Sequence, residues 1–470
     1  MRVKTCRPSA CYRKILSLAL SAEFSKMAAP MSWSVRKVYT FAFRYHIRCQ
    51  CVGKGGIQLS NRKTYSTKSP RNILTLHDRG IFQNVFPSSG TPELVKKLSQ
   101  PVTVYCGFDP TAESLHIGNL LAIVALLHCQ RGGHHPIGLI GGATAMVGDP
   151  SGKTKDRMPM AVEEVERNME SITGSLHRIF ENHRKFIWKE NKELPPLLTL
   201  NNADWYREIN VISFLATIGR RFRLGPMLSR QSVTERLKSS EGMSFTEFSY
   251  QILQAYDWLH LCRHHNCTIQ IGGNDQLGNI TSGHDLLSAE TDKRVWGLTV
   301  PLITTPSGEK IGKTAGNALW LNPDKTSPFE FYQFFMKLAD NEVEKYLQLF
   351  TFLSDDQITK TLKKHNDNLG TRHGQKILAE QVTSLVHGEE GLEQARRWTA
   401  AFYSGTTDSL NALSLEELEQ LFNNVTTVPM LLDAGITVRE MCMKAKIFGR
   451  EGPYLCVILT SLFYLRFLEF

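Results

Sequence analysis

Five stretches of the chain carry residue types that could hold a small polar ligand and act on it. The first, residues 105–119, reads YCGFDPTAESLHIGN. It follows a β-branched run at 102–105 that reads as a buried strand, and it precedes an apolar helical run at 120–127 closed by Gly132 and Gly133. Free N–H groups at such a helix start face an anion. His116 adds a side-chain donor there, and Gly118 lets a flat or phosphorylated ligand approach the backbone. Tyr105 and Asp109 stand just upstream, at the strand end. The second stretch, 141–157, reads GGATAMVGDPSGKTKDR and follows a strand at 137–140. It nearly matches a phosphate-binding P-loop, but Val147 stands where the first glycine is required. The third is a helix over 245–265, on which Tyr250, Gln254 and Asp257 share one face. Such a face is either a pocket wall or an exposed polar stripe. In the fourth, a strand at 268–271 enters Gly272-Gly273-Asn274-Asp275-Gln276, a second strand–turn–helix with a carboxylate placed for a ribose hydroxyl. The fifth, 304–316, is a Gly- and Lys-rich loop with Lys310 and Lys313; a solvated surface loop is the usual setting for such lysines.

Two strand–turn–helix units of this kind require an open α/β sheet of Rossmann type, split by what lies between them. An amphipathic helix is expected over 161–185, ending before Pro195 and Pro196, and two further helical patterns over 205–240 flank Gly225-Pro226. The pattern changes at Thr326. Helix starts then follow one another as capping boxes, Ser327 with Glu330, Ser354 with Gln357 and Ser414 with Glu417. The fold class expected is thus α/β, a Rossmann-like nucleotide-binding domain over 72–325 with a helical insertion at about 195–265, followed by an all-α domain over 326–440. Lys360, Lys363, Lys364, Arg372 and Lys376 form a basic region in the latter, or an ordinary solvated face.

Charge and cysteine usage bound the partners. Residues 1–70 hold fourteen Lys or Arg and one acid, Glu23, for +13 against a chain total of +10, which leaves −3 for the remainder. The body is therefore not a uniformly basic nucleic-acid binder, and any RNA face must be local. A basic, hydroxyl-rich, acid-poor start is the composition of a transit peptide, and its apolar piece at 15–22 is too short to span a membrane. The ten cysteines form neither a zinc ribbon nor a disulfide framework. Their densest run, His260-x-Cys262-x-His264-His265-x-Cys267, continues a helical pattern that scatters its side chains, so no structural metal is expected.

HIGN at 116–119 with Lys310-Ile-Gly-Lys313-Thr314 resembles the paired signatures of the class I aminoacyl-tRNA synthetases. YCGFDPTA, GGATAMVGDPSGKTK, YQILQAYD at 250–257 and QIGGNDQLGNI at 270–280 narrow the resemblance to the tyrosyl enzymes, over about 72–445. One departure is Asn119, where the family has a second histidine. The resemblance implies that tyrosine is joined to ATP and then to tRNA(Tyr), with Mg²⁺ accompanying ATP. It implies a homodimer made through the insertion, with Phe214, Phe222, Leu224 and Met227 as contributors. With the transit-peptide composition it implies a mitochondrial matrix location and no stable membrane insertion.

Residue by residue, the resemblance puts Tyr105 and Asp257 on the phenolic hydroxyl, and Asp149, Tyr250 and Gln254 on the ammonium with Gln270 nearby. It puts Gly107, Asp109, Thr111, His116, Gly118, Lys153, Gly273, Asp275 and Gln276 along ATP, with Arg157 flanking, and His116, Asn119, Lys310, Lys313 and Thr314 on the phosphates. The tyrosine carboxylate is already ionised and needs no general base. What the reaction needs is stabilisation of charge on the departing pyrophosphate. Three alternatives stand beside this reading. A P-loop kinase is opposed by Val147. A catalytically silent RNA-binding or splicing cofactor is opposed by the intact His116, Asp275, Lys310 and Lys313. A sister enzyme for tryptophan would leave Tyr105 and Asp257 without a partner. At 441–470 the resemblance fades into an apolar stretch, where the family would lead one to expect a small S4-like RNA-binding module; a truncated or alternative end is the expectation.

Overall fold

The computed structural model describes residues 71–151, 160–303, 318–404 and 412–421. Residues 1–70, expected to be a transit peptide, Lys153, Arg157, Lys310, Lys313, Thr314 and the apolar C-terminal stretch lie outside the described residues.

Six strands form one sheet, β1 Asn84–Phe86, β2 Thr103–Phe108, β3 His135–Ile140, β4 Leu198–Asn201, β5 Cys267–Gly273 and β6 Trp296–Val300, in the order β1-β6-β5-β2-β3-β4. All neighbours are parallel except β1, which runs antiparallel to β6. The chain passes outward from β2 to β3 and β4, then returns to the other side of β2 with β5 and β6. The winding reverses between β2 and β5, and an open parallel sheet forms its ligand crevice outside the carboxyl ends of the strands at such a point. Tyr105 of β2 pairs there with Gln270 of β5 on one side and Ile137 of β3 on the other.

The central strands are buried nearly throughout, as expected of parallel strands covered on both faces. Helix α1, Ile117–Arg131, follows β2 and buries eleven residues, so its sequence is apolar around the whole circumference. Helix α2, Val162–Asn182, is amphipathic as expected and ends in a π turn, His183–Ile187. Helix α3, Phe245–His265, starts on a Ser244 cap and stops where Asn266 turns left-handed at φ 51°. Helix α4, Leu277–Glu290, leads on to β6. Between β4 and α3 the two expected helical patterns resolve into four short helices, Ala203–Tyr206, Val211–Thr217, Leu224–Leu228 and Gln231–Leu237.

Beyond residue 326 the described residues are helical: α5 Pro328–Met336, α6 Asp340–Phe350, α7 Asp355–Asp367, α8 His373–Ser404 and a last short helix, Leu415–Leu421. All three capping boxes form, with each serine accepting from a backbone N–H three residues on and each Glu or Gln accepting in return. Leu120 and Leu127 of α1 share a core with Tyr346 and Phe350 of α6 and Val382 of α8, so the helical region packs directly on the sheet's helices. Lys360, Lys363, Lys364, Arg372 and Lys376 are all exposed. Among the described residues no helix is long and apolar enough to cross a membrane.

Candidate active site

A cavity of about 710 Å³ opens at the carboxyl ends of β2, β5 and β6. From β2 and the loop after it come Tyr105, Gly107, Asp109 and Thr111, and from the start of α1 come His116, Gly118 and Asn119. Asp149 arrives from the loop after β3, Tyr250, Gln254 and Asp257 from α3, and Gln270, Gly273, Asp275 and Gln276 from β5 and the turn that follows it. The stretch readable as a polar stripe on α3 is thus a pocket wall. The lining includes five carboxyls, Asp109, Asp149, Glu164, Asp257 and Asp275, and neither Lys nor Arg among the described residues.

The deep end is built around Asp257, which is 2% exposed. Trp205 Nε1 donates to its Oδ1 and Asn202 Nδ2 to its Oδ2, both at 3.0 Å. Burial pushes this carboxyl up to about 7, while the hydrogen bonds from Asn202 and Trp205 hold it down. Tyr105, 1% exposed, has its hydroxyl buried with no hydrogen-bond partner, and its phenol is pushed well above the ordinary range by burial and then by Asp257. Gln254 Oε1 and Gln270 Oε1 are buried without partners as well. Three orphaned polar atoms beside a buried carboxyl form a site that lacks its hydrogen-bonding counterpart. A ligand with a hydroxyl at one end and further donors along its length meets that need.

A continuous hydrogen-bonded chain joins the two carboxyls of this region. Tyr250 donates its hydroxyl to Asp109 Oδ2 at 2.7 Å, and Thr144 donates to Asp109 Oδ1 at 2.7 Å. Asn202 donates to Thr144 Oγ1 at 3.0 Å as well as to Asp257, and its own Oδ1 accepts from Ala143 N at 2.8 Å. Every polar group of the Asn202 amide is therefore engaged, which fixes the direction of each bond and presents donors to both Thr144 and Asp257. Asn202, Trp205 and Thr144 are absent from the set that sequence alone suggests. The one available signal is polar Asn201-Asn202 closing the apolar run LLTL at 197–200, a strand end too short to stand out. Gly141 belongs to the same device, because a Cβ there would collide with Asp109 Oδ1 and Thr144 Oγ1.

At the other end, His116 caps α1: its Nδ1 accepts from Gly118 N at 3.0 Å, and Asn119 Oδ1 accepts from His116 N at 3.1 Å. An accepting Nδ1 leaves Nε2 as the N–H of the neutral ring. The Asn119 oxygen is spent on the helix start. Ile117 N donates to Leu319 O at 3.0 Å and Leu321 N to Leu115 O at 2.8 Å, so the His116 loop is bridged to the chain that emerges from 304–317. The second and fourth stretches meet where Gln276 Nε2 donates to Asp149 Oδ2 at 2.7 Å. In the His/Cys run, His260 stacks on Trp205 with ring centroids 4.2 Å apart, Cys262 points into the core and Cys267 lies on β5.

Comparison with known proteins places the chain in a family. The family model described as tRNA synthetases class I (W and Y) matches residues 96–404. The chain belongs to this family of class I tRNA synthetases. It is 48% identical over 410 residues to the mitochondrial tyrosine–tRNA ligase of Drosophila melanogaster, covering 86% of this chain and 88% of that protein. It is 48% identical over 381 residues to the human mitochondrial tyrosine–tRNA ligase, covering 80% of each. Among solved structures, a C-terminally truncated mitochondrial tyrosyl-tRNA synthetase of Aspergillus nidulans superimposes with a TM-score of 0.62 at 33% identity, over 70% of this chain and 92% of that one. Family membership sets aside the P-loop kinase reading of 141–157.

Proposed function

We propose that this chain attaches tyrosine to tRNA(Tyr) in two steps, forming tyrosyl-adenylate from tyrosine and ATP and then transferring the tyrosyl group. The observation that carries the choice of tyrosine is the buried, unpartnered Tyr105 hydroxyl beside Asp257. Asp257 already accepts from Asn202 and Trp205 and is held as an acceptor, so a phenol donates to it and accepts from Tyr105. Gln254 and Gln270 offer unpartnered oxygens to the α-ammonium, with the Asp149 carboxylate along the same wall. A tyrosine carboxylate oxygen then bonds to the α-phosphorus as the bond to pyrophosphate breaks. His116 donates toward the charge that develops. Lys153, Lys310 and Lys313 supply the cations that the described lining lacks. Asp275 takes the ribose.

Mg²⁺ enters as part of the ATP substrate. Such an ion is held chiefly by phosphates and water. The exposed lysines of α7 support a contact with the tRNA, and the relatives' names support a mitochondrial location, in the matrix where tRNA is charged. The direct experiment is aminoacylation: labelled tyrosine should become acid-precipitable on mitochondrial tRNA only when ATP is present. Incorporation independent of ATP, or none with folded protein, contradicts the reading.

Asp257 gives the reaction a pH dependence. A raised folded pKa means that the free protein holds an extra proton between the unfolded value, near 3.8, and about 7. That contribution to stability is present below the unfolded value and lost as pH rises to about 7. Tyrosine, which needs the ionised acceptor, reverses the preference. Lowering pH from 7.5 to 6 should weaken tyrosine binding by about tenfold and leave phenylalanine binding nearly flat. Equilibrium dialysis across that range decides it, and parallel profiles for the two amino acids contradict it.

A homodimer through the insertion is supported by an exposed apolar face, Val211, Ile212, Leu215 and Leu224, with Ile212 69% and Leu224 66% exposed. Of the expected contributors, Leu224 is exposed, Phe214 and Phe222 are half-buried against the core beneath the short helices, and Met227 is buried. Ile212→Asp should weaken dimerisation by about tenfold or more, the worth of burying one such side chain. Sedimentation at micromolar concentration tests this, and an unchanged dimer places the contact elsewhere.

A further inference from the structure

One face of α2 carries Asn168, Ser171, Ser175, Arg178 and Asn182, three or four residues apart, the spacing that lines one side of a helix. Their hydrogen bonds reach into three other parts of the molecule. Asn168 donates to Pro110 O at 3.2 Å and Ser171 to Glu113 O at 2.6 Å, both in the loop that leads to His116. At the far end Asn182 donates to Leu385 O at 3.1 Å. Leu385 lies just before Gly388, which breaks α8 with φ 74° and ψ −173°; a break of this kind deprives the preceding carbonyls of intrahelical donors. Arg178 stands between the two ends and serves both. Its Nε donates to Val386 O at 3.3 Å and its Nη2 to Leu321 O at 2.9 Å. Among the described residues, none of its hydrogen bonds goes to a carboxylate. Leu321 in turn donates to Leu115 O, one residue before His116.

We propose that Arg178 is a positioning residue for adenylate formation, holding Leu321 and through it the His116 loop at a setting fixed jointly with the Gly388 break of the helical region. The inference rests on the activity proposed above. A planar guanidinium spans two carbonyls on separate elements, which a single ammonium or an apolar side chain does not. Loss of the contact lets the 319–321 segment shift relative to His116, and small misplacements of catalytic groups cost rate rather than ground-state binding.

The test is the burst of tyrosyl-adenylate on the full chain, which reads the number of active sites from its amplitude and the chemical step from its rate constant. Arg178→Met should lower the rate constant by about tenfold, with amplitude and tyrosine affinity within about twofold of the parent. Asn182→Ala touches only the helical end and should leave the rate constant within about twofold. A reduced amplitude with an unchanged rate constant in Arg178→Met overturns the proposal, since that is what a folding defect alone produces. Equal slowing by Asn182→Ala also overturns it, because docking of the helical region would then suffice. A parent protein with no burst overturns the activity itself, whereas a normal parent burst matched by Arg178→Met overturns only this inference.

Discussion

Asp257→Ala is expected to leave a folded protein that has lost its discrimination between tyrosine and phenylalanine by at least about a hundredfold. A site that hydrogen-bonds a substrate hydroxyl rejects the analogue lacking it by about 10⁴–10⁵, a general magnitude for which a tyrosyl-tRNA synthetase is itself the standard example, and distances alone do not yield it. What the geometry supplies is the reason. With tyrosine bound, the phenol donates to Asp257 and accepts from Tyr105, so both protein groups are satisfied through it. With phenylalanine bound, the Tyr105 hydroxyl stays orphaned and the carboxylate stays buried without its third donor, a desolvation penalty that falls on the wrong substrate. The substitution also strands the Asn202 and Trp205 donors, so some loss of stability is expected. Adenylate formation with each amino acid, at matched fractions of folded protein, isolates the selectivity. Unchanged selectivity with tyrosine still bound contradicts the role given to Asp257.

The second large effect is expected from Lys310→Ala and Lys313→Ala. Each should slow adenylate formation by about 10²–10³, while tyrosine affinity stays within about twofold. The described cavity lining carries five carboxyls and no Lys or Arg, so the leaving pyrophosphate needs cations from elsewhere. The bridge between 319–321 and the His116 loop holds residue 319 onward at the His116 end of the cavity. Charge that develops only in the transition state changes rate constants and leaves ground-state binding alone. Single-turnover kinetics with saturating tyrosine separates the two. Equal loss of affinity and rate assigns these lysines to binding or to folding.

Much of the site is legible in the sequence because its chemistry sits at the ends of strongly patterned elements. β2 and β5 are apolar runs that stop at Gly-rich polar turns, and Tyr250, Gln254 and Asp257 keep helical spacing on α3. Each of those signals is local. The parts that sequence does not reveal depend on distant partners. β4 is a four-residue edge strand, half exposed, and edge strands of that length carry no usable alternation. Asn202 therefore has no element to belong to in the sequence, and its link to Asp257 and, through Thr144, to Asp109 needs four segments brought together. Asn119 illustrates another limit. Its place in the HIGN motif points to phosphate, whereas its oxygen accepts the His116 N–H in a capping box. The insertion differs again: its apolar residues are visible, but which face they occupy follows from how four short helices pack.

Amino-acid-dependent ATP–pyrophosphate exchange by the purified protein, with tyrosine, phenylalanine and tryptophan compared side by side, tests the central claim most directly. Tyrosine should support rapid exchange, and the other two should support at least about a thousandfold less at equal concentration, a threshold set below the roughly 10⁴–10⁵ that a buried hydroxyl partner confers. Exchange driven equally by tryptophan or phenylalanine, or no exchange with tyrosine by folded protein, would contradict the assignment of Tyr105 and Asp257 as the pair that selects the substrate.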